Sequence, residues 1–528
     1  MRFYKKLLIC LAVVLLLLPL TIIIASSTSD SVNVKNYGAV GNGSANDTAA
    51  IQAAIDDAAA KGISTVVIPA GHYMVSVEPT AVHLRSNITI QMQSGAVIEA
   101  IPTSRTNYNV FLVRGCSDVT IQGGTLVGER YGHLGSGGEW GMGIRIGDST
   151  NITVKDITIK DFWGDGIYIG GAEDYSRNIL IKNADISNNR RQGISMTTYV
   201  DGVIIEGCTI YNINGTNPQA GIDIETNNRS IPARNIIIRN NTFFDNVNTD
   251  VLIATEAENV EIYGNKMVRG TRRNTPRGVA LDFADNVTVR DNEIYDRDHG
   301  VQIRDSKNIT VENNLIQGRY QDSVGIIFYH NVNNVRILGN HIKDIDRGMN
   351  IAPVSNIHIE GNIIENTRQY GINNWDSTTF GAPRNVTYKD NVIKKIGTFA
   401  ILARNNSALI TGNRISDVAG AYIEIRTGTN VKIEGNRFHD YGQTTYPHFI
   451  LVVSGNSGIE ISRNRFESTR EAKYAVTVSR FRNREVTVTH NTALYSTNPF
   501  RVPGGHTVAD NIYKGADTFW GLRLASGL

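Results

Sequence analysis

Apolar and polar residues alternate along most of this chain in short runs that keep returning at one register. Eleven asparagines mark it: Asn241, Asn265, Asn292, Asn314, Asn340, Asn362, Asn391, Asn413, Asn436, Asn464 and Asn491. Each follows by five residues an apolar, usually branched, residue, in segments such as NVTVRDN, NVRILGN, NIHIEGN and NVKIEGN. The register extends upstream through Ile88, Val119, Ile152, Ile179 and Val203, where Cys208 takes the asparagine's place. Repeats that begin about 22 to 33 residues apart, with varying insertions, make a solenoid. Alternation makes its rungs β-strands. An asparagine stacked on its neighbours at each turn can hydrogen-bond along the ladder, and it tolerates the left-handed backbone of a sharp corner. The pattern predicts an all-β protein, a single-stranded parallel β-helix of about sixteen coils. It is right-handed because parallel crossovers are.

Two stretches depart from the repeat. Asn46 or Asp47 can cap a short helix in which Ile51, Ile55 and Ala58 form one apolar stripe, followed by the strand STVVIPAGHYMV. Residues 28–80 are therefore read as an N-terminal cap and first coil, the helix covering edges that would otherwise pair with other chains. Residues 513–528, with Phe519 and Trp520, are read as the C-terminal cap. The rest of 28–528 is one β-helix domain, with a Gly-rich excursion at 125–145 that is expected to lie over a binding face.

Each coil has a second strand, usually begun by glycine: GIYIG, GISMT, GIDIE, GVALD, GVQIR, GIIFY, GMNIA, GINNW. Alternation turns the second and fourth residues after the glycine outward, on rows about 4.8 Å apart. The outward residues include Tyr168, Ser195, Thr197, Asp223, Glu225, Leu252, Asp282, Gln302, Arg304, Tyr329, Asn350 and Trp375. Such a face suits an extended sugar chain. Asp223, Glu225 and Asp282 are the candidate catalytic carboxylates. Two acids on one side of a strand stand about 7 Å apart, within the separation that leaves room for a water between acid and base. Arg190 and Arg191 enter the row before Asp223 and are candidates to clamp a uronate carboxylate. Arg304, Tyr329 and His330, further along, offer base and acid groups for taking the proton beside such a carboxylate. Tyr168 and Trp375 are candidate platforms for sugar rings. No metal or cofactor is required. Asp161, Asp165 and Asp298 in Gly-rich turns are the oxygen donors a Ca2+ ion would use, though no calcium-loop spacing is present.

Charge and cysteine content narrow the partners. Net charge is +2, and residues 1–27 hold three basic residues (Arg2, Lys5, Lys6), so the remainder carries −1. That argues against a nucleic acid held by bulk electrostatics. The opening MRFYKKLLICLAVVLLLLPLTIIIASS reads as a signal peptide or membrane anchor, which predicts a secreted protein or one tethered at the outer face of the cytoplasmic membrane. Any membrane contact would run through that segment alone. Cys116 and Cys208, several coils apart, are expected to be buried free thiols.

YGAVGNGSANDTAAIQAAID followed by VVIPAGHY resembles the N-terminal module of pectate-lyase-like and rhamnogalacturonase/epimerase-like proteins, within the pectin-lyase-like superfamily of right-handed parallel β-helices. That resemblance implies the fold and a polysaccharide partner; trimers among the tailspike relatives keep monomer and trimer both open. The polygalacturonase set of NTDG, a paired Asp-Asp, GHG and R-x-K in successive coils is not matched: WGDG, RQG and DHG are present without an Asp-Asp in the coils or the R-x-K. The D-P-H of mannuronan epimerases is also missing. The expectation is an extracytoplasmic hydrolase of an acidic polysaccharide. Its rivals are a polysaccharide lyase or uronan epimerase, and a non-catalytic glycan-binding solenoid.

Overall fold

A computed structural model describes residues 31–514 apart from 79–81, 272–275, 319–320, 376–380, 442–447, 470–473 and 495–498, together with 523–525. The leader at 1–27, Phe519 and Trp520 lie outside the described residues. The chain winds into a right-handed parallel β-solenoid of about 17 turns, with a single α-helix among the described residues.

Each turn contributes one strand to each of three parallel sheets. One turn runs Ala220–Glu225, Ala233–Arg239, Thr242–Phe244 and then returns to the first sheet at Thr249–Thr255. Alternation places every second side chain inside. Ile167, Ile194, Ile222, Val251, Val279, Val301, Ile326, Met349 and Ile372 are in register and all buried, one column of a continuous core. Each such side chain contributes about 1.5–3 kcal/mol by leaving water.

The asparagines form the predicted ladder, and it continues to Asn511. The Asn292 amide N–H and side-chain Nδ2 both donate to Asn314 Oδ1, at 3.0 and 2.9 Å, while Asn314 Nδ2 donates to the Val289 carbonyl at 2.9 Å. The left-handed residue is not the ladder asparagine, as the sequence suggested, but its predecessor: Asn240, Asp291, Asn313 and Gly339 all have φ between 54° and 60°. The ladder asparagine must aim its side chain into the rod to reach the next turn, so the preceding residue absorbs the corner. A second left-handed set begins the N-[VI]-T runs (Asn151, Asn286, Asn308) and forms an outer ladder, for instance Asn286 Nδ2 to Asn259 Oδ1 at 2.7 Å. Asn314→Ala orphans buried groups on both neighbouring turns. It is expected to lower stability by about 2 kcal/mol, measured as a shift in the urea midpoint.

The ends are closed differently. The helix Thr48–Lys61 buries Ile51, Ala54, Ile55 and Ala58 against the first strands and stops at Gly62, whose φ of 67° suits glycine. Asn46 Oδ1 accepts from the Thr48 amide at 3.1 Å, whereas Asp47 turns back to accept from the Val40 and Gly41 amides. At the other end Asn511–Lys514 pairs antiparallel with Arg523–Ala525, which ends the parallel stack. Cys116 and Cys208 are free and buried. Burial pushes the Cys208 thiol up to about 12 and keeps it inert.

Candidate active site

The glycine-begun strands form one sheet, and its outer face carries the site. Register aligns Arg145, Tyr168, Ser195, Asp223, Leu252, Ala280 and Gln302 in one column. The Gly-rich excursion folds across the first rows of this face. His133 and Glu129 pair under it (3.0 Å), their side chains almost wholly covered, and His133 stacks on Trp163 at 3.9 Å between ring centres. Trp163 Nε1 donates to the Gly137 carbonyl at 3.2 Å, and an Arg190 guanidinium nitrogen donates to the Gly138 carbonyl at 2.8 Å. Arg190 also lies 3.8 Å over the Trp163 ring. These contacts fix the excursion's last residues, Glu139 and Trp140, at the edge of a cleft of about 290 Å3.

That cleft is lined by Glu139, Trp140, Arg145, Tyr168, Arg191 and Glu225, among others. Arg191 stands at its centre. It reaches Glu139 (3.2 Å), Asp165 (3.0 Å) and Glu225 (3.3 Å), so one guanidinium ties three carboxylates together. Asp165 Oδ2 also accepts from the Ser195 hydroxyl at 2.8 Å. Gln192 Nε2 donates to Asp223 Oδ2, and the other oxygen of Asp223 is buried with no partner. Tyr168 shares a 2.8 Å hydrogen bond with Thr197, and the Arg145 guanidinium lies 5.3 Å over its ring.

The carboxyls differ in burial. Asp223 is fully buried although it belongs to the outer column. Burial first, and then the charge of Glu225, pushes its carboxyl well above the usual range, against the pull of Arg191. Glu225, with 43% of its side chain exposed, faces solvent. Asp165 is pushed up from 3.8 to about 6, chiefly by burial and against the charge of Arg191. The folded state therefore holds that proton more tightly than the unfolded chain does. The corresponding stability is fully present below about pH 4 and is lost as pH rises through about 6, some 3 kcal/mol in all. Asp165→Asn is expected to shrink the difference between urea midpoints taken at about pH 4 and pH 7, relative to the wild type.

The other predicted residues sit elsewhere. Asp282 is separated from the cleft by a turn carrying Leu252 and Ala254, part of an apolar patch with Ala220 and Ala280. It accepts from Arg304 at 2.7 Å and from Gln302 at 3.5 Å. Arg190 is committed to the excursion, so it and Arg191 do not form the expected clamp. Tyr329 lies near Arg277. His330 hydrogen-bonds Asp305 at 3.0 Å in a turn beyond the strand. Trp375 is 40% exposed, several turns further along. Among the described residues no group of three or more His, Cys, Asp or Glu is placed to hold a metal ion.

Sequence reasoning missed Glu139, Trp140, Arg145 and the role of Asp165 beneath Arg191. Arg145 had a signal: the segment GIRIG, one turn upstream of GIYIG, carries the same glycine register. Glu139 had none, because a loop residue is placed by the contacts of its loop and not by periodicity.

The chain belongs to the right-handed β-helix region family, matched over residues 86–267, 268–385 and 380–516. Residues 31–111 match the rhamnogalacturonase A/epimerase, pectate lyase-like family. It is 32% identical over 250 residues to the Bacillus subtilis protein YclG (42% of this chain, 43% of that one). It is 29% identical over 258 residues to the Azotobacter vinelandii mannuronan C5-epimerase AlgE3 (40% of this chain, 13% of that one). The chain spans about half or less of the curated relatives it matches. The structure of pre-mature bacteriophage phi29 gene product 12 shares the fold, with a TM-score of 0.50 and 14% identity over 94% of this chain and 76% of that one.

Proposed function

We propose that this is an extracytoplasmic enzyme that hydrolyses a uronate-containing polysaccharide, with Asp223 as general acid and Glu225 as general base. The observation that carries this is a pair of unlike carboxyls on the same side of one strand. One is buried, its carboxyl pushed well above the usual range; the other stands half-exposed in the cleft. Their spacing of about 7 Å leaves room for a water. Asp223 is covered, so the entering sugar chain must uncover it; it then gives its proton to the departing glycosidic oxygen while Glu225 takes one from the attacking water. Asp223 lies within the field of Arg191, and the Arg191–Glu225 bridge opens as the sugar chain enters. Trp140 and Tyr168 line the cleft and supply aromatic surface for a sugar ring. The apolar leader with its basic start supports a location outside the cytoplasm, and similarity to mannuronan C5-epimerases supports a uronate polymer.

A second reading has one specific observation behind it. The Arg145 guanidinium over Tyr168 sets a phenol and a cation side by side at the cleft, an arrangement suited to moving the proton beside a uronate carboxylate in a lyase or epimerase. Incubation with alginate, polygalacturonate, dextran sulfate and dextran separates the readings. New reducing ends without ultraviolet-absorbing unsaturated ends support hydrolysis. Unsaturated ends overturn it in favour of elimination, and inverted uronates without cleavage overturn it in favour of epimerisation.

A further inference from the structure

Beyond the apolar patch, the same face carries a second polar cluster. Arg277 begins the strand Arg277–Asp282, and Arg304 ends the next, His299–Arg304. The two strands pair in register, Asp282 opposite Arg304. Two guanidiniums here share one carboxylate. Arg304 takes Asp282 at 2.7 Å, and the nearest partner of Arg277 is the neutral Asn248 Oδ1 at 2.8 Å. Arg304 Nε is buried without an acceptor, although 42% of the side chain is exposed.

The neighbours do not supply the missing anion. His299 is kept from charging by burial, with the Gln302 hydrogen bond and Asp298 opposing and the nearby arginines reinforcing. Arg347 is 3.6 Å from Asp346, which is itself fully buried and bound by Arg368. Burial also holds the Arg277 guanidinium below its ordinary value, with Arg304 adding to the effect and Asp282 opposing it. The cluster is short of one negative charge on an outward face.

Its position says what would bring that charge. Arg277 lies two rows and Arg304 three rows from the Glu225 strand, about 10 and 14 Å along the solenoid. That is farther than one sugar ring reaches. Between them Leu252 and Ala280 are buried and Ala254 is half-buried, so the rows between the two clusters carry no charge from these positions. We propose that Arg277 and Arg304, held over Asp282, form a distal subsite for an anionic group, a carboxylate or a sulfate, on a sugar chain whose scissile bond lies in the Arg191 cleft. This rests on the cleft being where the glycan is cut. Asp282 then acts as a positioning residue that orients Arg304. Charge-assisted contacts to both arginines select anionic over neutral chains.

Affinity electrophoresis of the full chain tests this, in gels cast with alginate, polygalacturonate, dextran sulfate or dextran. The wild type is expected to be retarded by the anionic polymers and not by dextran. Arg304→Gln and Arg277→Gln should each weaken retention about tenfold, and Arg304→Lys less. Thermal melts of the variants exclude misfolding as the cause, and Arg304→Lys keeps the test valid if Arg277→Gln folds poorly. Loss on the uronate polymers alone assigns a carboxylate, and loss on dextran sulfate as well assigns any anion. Unchanged retention in folded variants, or equal retention on dextran, overturns the subsite. Reducing ends measured on the same samples keep the two ideas apart. Arginine-dependent retention without cleavage would remove the hydrolase reading and leave the subsite; cleavage with arginine-independent retention would do the reverse.

Discussion

Asp223→Asn is expected to lower kcat on the cleaved polysaccharide by roughly a thousandfold, the scale of a lost general acid. The substitution keeps the volume of the side chain and still offers an oxygen to Gln192 Nε2, so the fold should survive. It replaces a carboxyl that burial and the charge of Glu225 push well above the usual range. The variant's melting curve should change little, and the alkaline limb of the pH–rate profile should flatten because asparagine does not titrate. A fall of less than about tenfold would mean that the acid lies elsewhere. Glu139, which reaches the same cleft from the excursion, would be the next candidate.

The largest expected effect on stability is far from the cleft. Arg297 and Asp250 are almost wholly buried and meet at 2.7 Å. Arg297 also donates to the Val268 carbonyl at 2.9 Å, and Asp250 accepts from Asn246 Nδ2 at 3.0 Å, so the pair stitches successive turns together. Arg297→Ala strands a buried carboxyl and should cost about 3–5 kcal/mol. Solenoid stability is summed over neighbouring turns. The loss should therefore appear as faster amide exchange in strands 249–255 and 277–282 before it spreads. Asp250→Asn combined with Arg297→Met should recover much of it, since replacing both partners leaves no unpaired charge. Full cost persisting in the double variant would show that packing, and not the charge, dominates.

The fold was legible because a solenoid writes the same local requirement many times. The five-residue offset from Val287 to Asn292, or from Val335 to Asn340, specifies a strand, a corner and a ladder contact together. Even so, the left-handed corner was assigned one residue late, because the ladder role and the corner role fall on adjacent residues such as Asn313 and Asn314. The outward face could be listed from alternation, but not what each member does there. Asp223 occupies an outward position and is nonetheless buried, through neighbours that no periodicity reveals. Arg190 and Arg191 are adjacent in sequence and diverge, one to the Trp163 ring and the other into the cleft. Glu139 reaches the site only through the stacked Trp163, His133 and Arg190 beneath its loop.

The most direct test of the central claim is the configuration of the first sugar released, followed by proton NMR from the onset of cleavage. Two carboxyls about 7 Å apart with water between them predict that the new reducing end appears first with the anomeric configuration inverted. A retained configuration would require a nucleophile closer to the acid than Glu225 is to Asp223, and would contradict the assignment of both residues.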